Sequence, residues 1–163
     1  MLICRCFGGL PELLTTWSRS GRFWPTVDEL PGDDPAACLA LPAARRCACF
    51  FGHFIDGLRV RPLTLTVKVM AAELLERNEL TALLEAEREA WSEAAASVLG
   101  GREFSAHPAL RGQTLLLVAG VQYLLLRGRR IRIFGGVDLQ SAEGWAELKQ
   151  ALRDAAQRPL AQY

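Results

Sequence analysis

The sequence predicts an all-α fold, a bundle of about six helices. Three observations carry this. Apolar residues recur at three- and four-residue spacing over most of the chain. Proline or a small polar residue opens most of the periodic segments. No pair of alternating runs joined by a turn reads as a β-hairpin. At 163 residues, half of them apolar and 23% charged, the chain has the size and composition of one globular domain that buries a core without disulfides.

The first segment runs from about Leu10 to Arg19, with Leu10, Leu13, Leu14 and Trp17 on one face and Pro11 in its first turn. Ser20-Gly21 ends it. "RFWPTVDELPGDDP" has three prolines and no period, and reads as a loop. Asp34-Pro35 starts a second segment, which Pro42 divides. The stronger part, about Ala43 to Arg59, turns Cys47, Phe50, Phe51, Phe54, Ile55 and Leu58 to one side. A third helix is expected from Pro62. Its "LTLTVKV" alternates like a strand, but "MAAELLER" continues it without a turn. Asn78 is placed to cap a fourth helix, Glu79 to Leu99. Its stripe takes Leu80, Leu83, Leu84, Trp91, Ala94, Ala95, Val98 and Leu99, and Gly100-Gly101 is expected to stop it. The fifth helix, Pro108 to about Arg127, is apolar almost all round, which predicts burial on most sides. "IFGGVDLQSAEG" reads as a loop, and Ser141 is placed to cap a last helix, roughly Ala142 to Gln157.

Composition excludes several classes of function. A net charge of +1 gives no basic field for nucleic acid or an anionic membrane. The longest near-apolar run, Thr114 to Leu126, spans about 20 Å as a helix against a bilayer core of roughly 30 Å. No membrane association is expected. The start has no long apolar core of a secretory signal, and five cysteines without framework spacing suit a reducing, cytoplasmic setting.

Candidate chemistry is sparse. His53 and Asp56 lie three apart on one helix, a conceivable base and orienter, but no nucleophile is placed beside them. No catalytic residue is assigned. Cys4-x-Cys6 and Cys47-x-Cys49 lack the usual zinc spacing, and neither a metal nor a cofactor is expected. Arg127, Arg129, Arg130 and Arg132 crowd a helix C-terminus, where cations complement the helix dipole. The aromatic set is more informative. Phe50, Phe51, Phe54, Met70, Trp91 and Tyr123 come from four expected helices. With His53 they are candidates to line an apolar pocket for a small hydrophobic ligand. The fifth and last helices supply candidates for a homodimer interface: Leu117, Val121, Leu124, Trp145, Leu148 and Leu152.

The stretch "ICRCFGGLPELL" resembles the end of the DNA-binding region of TetR/AcrR-type transcriptional regulators, a recognition helix closing on a turn before a Leu-Leu helix. Phe7, Gly8, Gly9, Leu10, Leu13 and Leu14 fit that pattern. Cys4 stands in place of the pattern's phosphate-contacting Tyr, and Cys6 where a His is frequent. "LRVRP", "ERNELTALLEAEREAW", "LLVAGVQYLLLRGRRIRIFGGVDLQSAEGW" and "AELKQAL" are similar to the C-terminal half of such proteins, the segment ending in Trp145 most specifically. The resemblance implies a connecting remnant over 1–22 and a ligand-binding, dimerising domain over 23–163. It also implies an all-α homodimer built on a four-helix interface, with a cavity for a hydrophobic effector whose binding shifts the spacing of two DNA-reading heads. A helix-turn-helix places about forty residues ahead of Cys4. This chain is therefore expected to contact DNA only if such a head is present. Without one, it would act as an adaptor through mixed dimers.

Overall fold

A computed structural model describes residues 6–60, 68–69, 71–72, 75, 78–106 and 108–157. Over these the protein is predominantly helical, with one two-stranded sheet, in keeping with an all-α class of about six helices. The third expected segment falls largely outside the described residues. Where described, at 68–69, 71–72 and 75, it is helical.

Helix α1 spans Leu10–Arg19. Pro11 sits in its first turn, where a missing N–H costs nothing. Leu13, Leu14 and Trp17 are half-buried, and the helix packs against the one over residues 79–106. The long loop after α1 is not a passive connector. Phe23, Trp24 and Pro25 are among the most buried side chains of the protein. A short 3-10 turn, Val27–Glu29, is fixed by a capping box in which the Thr26 amide donates to the Glu29 carboxylate at 2.5 Å. Gly32 follows with φ +79, and a Cβ there would stand 2.3 Å from Nε2 of His53. Both the left-handed backbone and the close approach require glycine.

Helix α2, Pro35–Leu39, is capped by Asp34, whose carboxylate accepts from the Ala37 amide at 3.0 Å. Helix α3, Ala43–Val60, buries the expected face: Cys47, Phe50, Phe51, Phe54, Ile55 and Leu58. Complete burial of Ile55 or Leu58 contributes about 1.5–3 kcal/mol each.

Helix α4, Glu79–Ala106, begins where expected. Asn78 Oδ1 accepts from the amides of Leu80 and Thr81, both at 3.0 Å. It does not stop at Gly100-Gly101 but continues for another turn and a half. Neither glycine adopts positive φ, and the break falls ahead of Pro108, whose ring and missing N–H end a helix more firmly. Of the expected stripe, Leu84, Ala95 and Leu99 are buried, Leu80, Leu83, Trp91 and Val98 half-buried, and Ala94 exposed. Arg19 of α1 clasps Glu87 of α4 with two bonds of 2.6 Å. The guanidinium holds the Glu87 carboxyl below its ordinary range.

Helix α5, Pro108–Gly128, departs from expectation. Val121 and Leu125 face the core, but Leu115 (69% exposed), Leu116 (74%) and Tyr123 (49%) face outward beside exposed Ala119 and Gly120. Among the described residues only one side of α5 is buried. The segment read as a loop contains a hairpin, β1 Ile133–Phe134 and β2 Val137–Asp138, paired antiparallel. Its turn residues Gly135 and Gly136 both have positive φ (58° and 86°), as the tight hairpin turn demands. Arg132 locks it to Asp138 at 2.8 Å, which lowers the Asp138 carboxyl pKa.

Helix α6, Ala142–Gln157, matches its expected bounds. Ser141 Oγ accepts from the Gly144 amide at 2.9 Å, and Trp145 is buried with its indole donating to the Leu139 carbonyl at 2.7 Å. The most extensive helix packing pairs α6 with α3. There Arg59 lies over the Trp145 ring, and Lys149 donates to both oxygens of Asp56 at 2.8 and 2.9 Å.

Two outcomes test this packing. Gly32→Ala is expected to lose about 1–2 kcal/mol from its left-handed backbone alone, before His53 is displaced. Gly52→Ala, on α3 with nothing within 4 Å, should gain about 0.5–1 kcal/mol. Urea unfolding of the two variants measures both. Because the folded Glu87 pKa is depressed, its contribution is present above the unfolded pKa of about 4.3 and is lost as pH falls through the folded value. Glu87→Gln should remove that part of the acid sensitivity, measured as the unfolding midpoint against pH.

Candidate functional site

An open groove of about 620 Å³ runs between α3, α4 and α5. Helix α3 gives Phe50, Phe51 and Phe54 to one wall. Helix α4 gives Trp91, Ala95, Ala96 and Leu99, and α5 closes the far side with Thr114, Leu115 and Val118. Leu30 from the long loop touches its edge. Polar groups are few: Glu89, Ser92 and Glu93 on α4, and Arg111 on α5. An apolar body with a sparse polar fringe at this volume is the usual make-up of a small-molecule site.

The groove is held by stacked rings. Trp24 stacks on Phe54 at 5.3 Å and on Trp91 at 5.7 Å, with planes within 20°. Phe54 and Trp91 meet each other at 5.8 Å. The Trp91 indole donates to the Pro25 carbonyl at 2.7 Å, so the ring that lines the groove is fixed by the loop behind it. Trp24 Nε1 is buried and has no acceptor among the described residues. A second groove, of about 470 Å³, shares Trp91, Leu115 and Val118 with the first and extends toward Trp24, Arg88 and Gln122.

Of the residues expected to line a pocket, Phe50, Phe51, Phe54 and Trp91 border the groove. Tyr123 does not. It lies on the outer side of α5, half-exposed, with its ring edge-on to Phe134 at 5.8 Å. His53 is half-buried against Gly32 rather than in the groove. Met70 lies outside the described residues. Leu99 was legible as a core position only, because a helix period names a face and not the neighbour opposite it.

The interface candidates fall mostly inside the single chain. Val121 and Trp145 belong to its core, and Leu117, Leu124, Leu148 and Leu152 pack against that core half-buried. The apolar residues that α5 leaves uncovered are the other set, Leu115, Leu116 and Tyr123.

His53 and Asp56 face different neighbours. Asp56 is engaged by Lys149 from α6, while His53 faces the loop. Among the described residues no three His, Cys, Asp or Glu side chains converge to hold a metal ion, and no helix is long and apolar enough to cross a membrane. Cys4 and His107 lie outside the described residues. In the arginine cluster, Arg127 rests over the Phe134 ring at 5.7 Å and Arg132 is tied to Asp138. Arg129 and Arg130 are exposed.

The Trp91 anchor can be separated from the stacking it supports. Trp91→Phe keeps an aromatic ring but loses the donor to Pro25, and should cost about 0.5–1.5 kcal/mol by urea unfolding. Phe54→Ala, which removes a fully buried ring, should cost about 3–5 kcal/mol. A Trp91→Phe loss as large as the Phe54→Ala loss would contradict this division. No family model, curated protein or solved structure matches this chain.

Proposed function

We propose that the chain is a ligand-sensing, dimerising regulatory domain of the TetR type, whose effector is a small apolar or aromatic molecule held in the α3–α4–α5 groove. The groove carries the reading: about 620 Å³, walled by Phe50, Phe51, Phe54 and Trp91, with polar groups only at its fringe. Catalysis is not proposed: Asp56 is engaged by Lys149, and His53 lies against Gly32.

The outer face of α5 supports the dimerising half. Leu115, Leu116, Ala119, Gly120 and Tyr123 form an exposed apolar stripe on a helix that also borders the groove. A second copy packed there would cover apolar surface that one chain leaves in water. It would also give a ligand in the groove a direct mechanical path to the partner, because Leu115 belongs to both surfaces.

Two experiments test the two halves separately. The anionic dye 1-anilinonaphthalene-8-sulfonate, whose aromatic rings seek apolar surface, should bind the folded protein with enhanced emission and quench Trp91. Ala96→Trp, which fills the groove, should weaken that binding tenfold or more while the unfolding midpoint stays within about 0.5 kcal/mol of the parent, as for surface changes. Undiminished dye binding by Ala96→Trp would overturn the groove reading. Light scattering on the parent chain should give a dimer mass, and Leu116→Asp should give a monomer. A monomeric parent at micromolar concentration would overturn the dimer.

A further inference from the structure

We propose that Cys38 of α2 and Cys49 of α3 are a redox pair that closes into a disulfide under peroxide and reopens under thiol reductants. Their Sγ atoms lie 3.0 Å apart, across two elements, and both are free thiols. A disulfide needs the gap to close by about 1 Å, to roughly 2.05 Å. The two positions are eleven apart in sequence, so the bond would complete a short loop around Pro42. Helix α2 has five residues, with prolines at its start and shortly after its end, which makes it a small unit suited to that adjustment.

The surroundings divide the roles. Cys49 is half-buried and is the thiol an oxidant can reach, while Cys38 is buried behind it. Burial pushes the Cys38 thiol up to about 12, so at rest it is protonated and inert. The Arg46 guanidinium opposes this shift, and its buried Nε has no acceptor among the described residues. It is a cation placed to steady a thiolate as one forms. Cys47, two residues from Cys49, is buried and pushed up to about 11 without any such partner. The helix turns it away from its neighbour, because residues two apart do not share a face.

The chemistry balances with hydrogen peroxide as the oxidant. The Cys49 sulfur attacks one peroxide oxygen, the O–O bond breaks, and a sulfenic acid and one water result. The Cys38 sulfur then attacks the sulfenic sulfur. An S–S bond forms, the S–O bond breaks, and the second water carries off the oxygen with the Cys38 proton. The two sulfurs lose two electrons and the peroxide oxygens gain them. The staple would join α2, at the end of the loop that carries Leu30, to α3 beside Phe50, and both of these residues line the groove. The inference stands on the thiol geometry and does not rest on the ligand reading.

Peptide mapping tests it directly. The full chain is treated with hydrogen peroxide, unfolded under alkylating conditions without reductant, and digested with trypsin. Cleavage after Arg45 and Arg46 separates residues 23–45 from 47–59, so only a disulfide can hold them together. The expected product is that linked pair. Fragmentation should place the bond on Cys38 and Cys49, alkylated Cys47 should be recovered, and dithiothreitol should dissolve the link. Cys47→Ala should keep the link and Cys49→Ala should lose it. The oxidised parent should unfold at a higher urea concentration than the reduced parent, a shift absent from Cys49→Ala. Recovery of alkylated Cys38 after peroxide, or a bond from Cys49 to Cys47 or to a second chain, would overturn the proposal.

Discussion

The packing of Trp24 between Phe54 and Trp91 is the constraint on which the rest of the structure depends. Three rings from three elements, a loop, α3 and α4, meet within 6 Å of one another. Each well-stacked pair adds about 0.5–1.5 kcal/mol beyond the burial of its surface. The positional consequence is larger than the energy. With Trp24 in place, the loop passes under α4 closely enough for the Pro25 carbonyl to receive the Trp91 indole proton. Phe23 is drawn in beside it and packs on Trp17 at 4.8 Å, which ties α1 to the same centre. The wall of the groove is then the outer surface of a rigid aromatic cluster.

Around that centre the helices divide by how completely one chain can cover them. Helices α3 and α6 cover each other, with an ion pair and a cation–π contact along the seam. Helix α5 carries apolar residues on nearly every side, yet only the side bearing Val121 and Leu125 is buried. On the proposed reading the remaining sides have two occupants, an effector toward α3 and α4 and a second copy outward. Sharing Leu115 between the two surfaces is then the physical link between sensing and assembly.

Much of the helical fold was legible because its cause is local. The face of α3 follows from its period, Asn78 and Ser141 announce the helices they cap, and α6 keeps its expected bounds. Other features depend on partners distant in sequence. Phe23 and Trp24 lie in a proline-rich stretch without period, and nothing local marks them as core. The Gly135-Gly136 turn carries the right chemistry for a hairpin, but its strands are only two residues long, too short to alternate visibly. Gly100-Gly101 are common helix enders that here lack the left-handed conformation a stop requires. For the site, the aromatic composition led to Phe50, Phe51, Phe54 and Trp91. Tyr123 lies away from the groove because an all-apolar helix such as α5 names no face at all.

On the proposed reading the aromatic cluster builds one ligand groove with α5 as its movable wall. Hydrogen–deuterium exchange with and without saturating 1-anilinonaphthalene-8-sulfonate tests it most directly. Added protection is expected to concentrate in residues 89–99 of α4 and 111–118 of α5, with α6 unchanged. Protection spread evenly over the chain, or confined to the hairpin and α6, would contradict it.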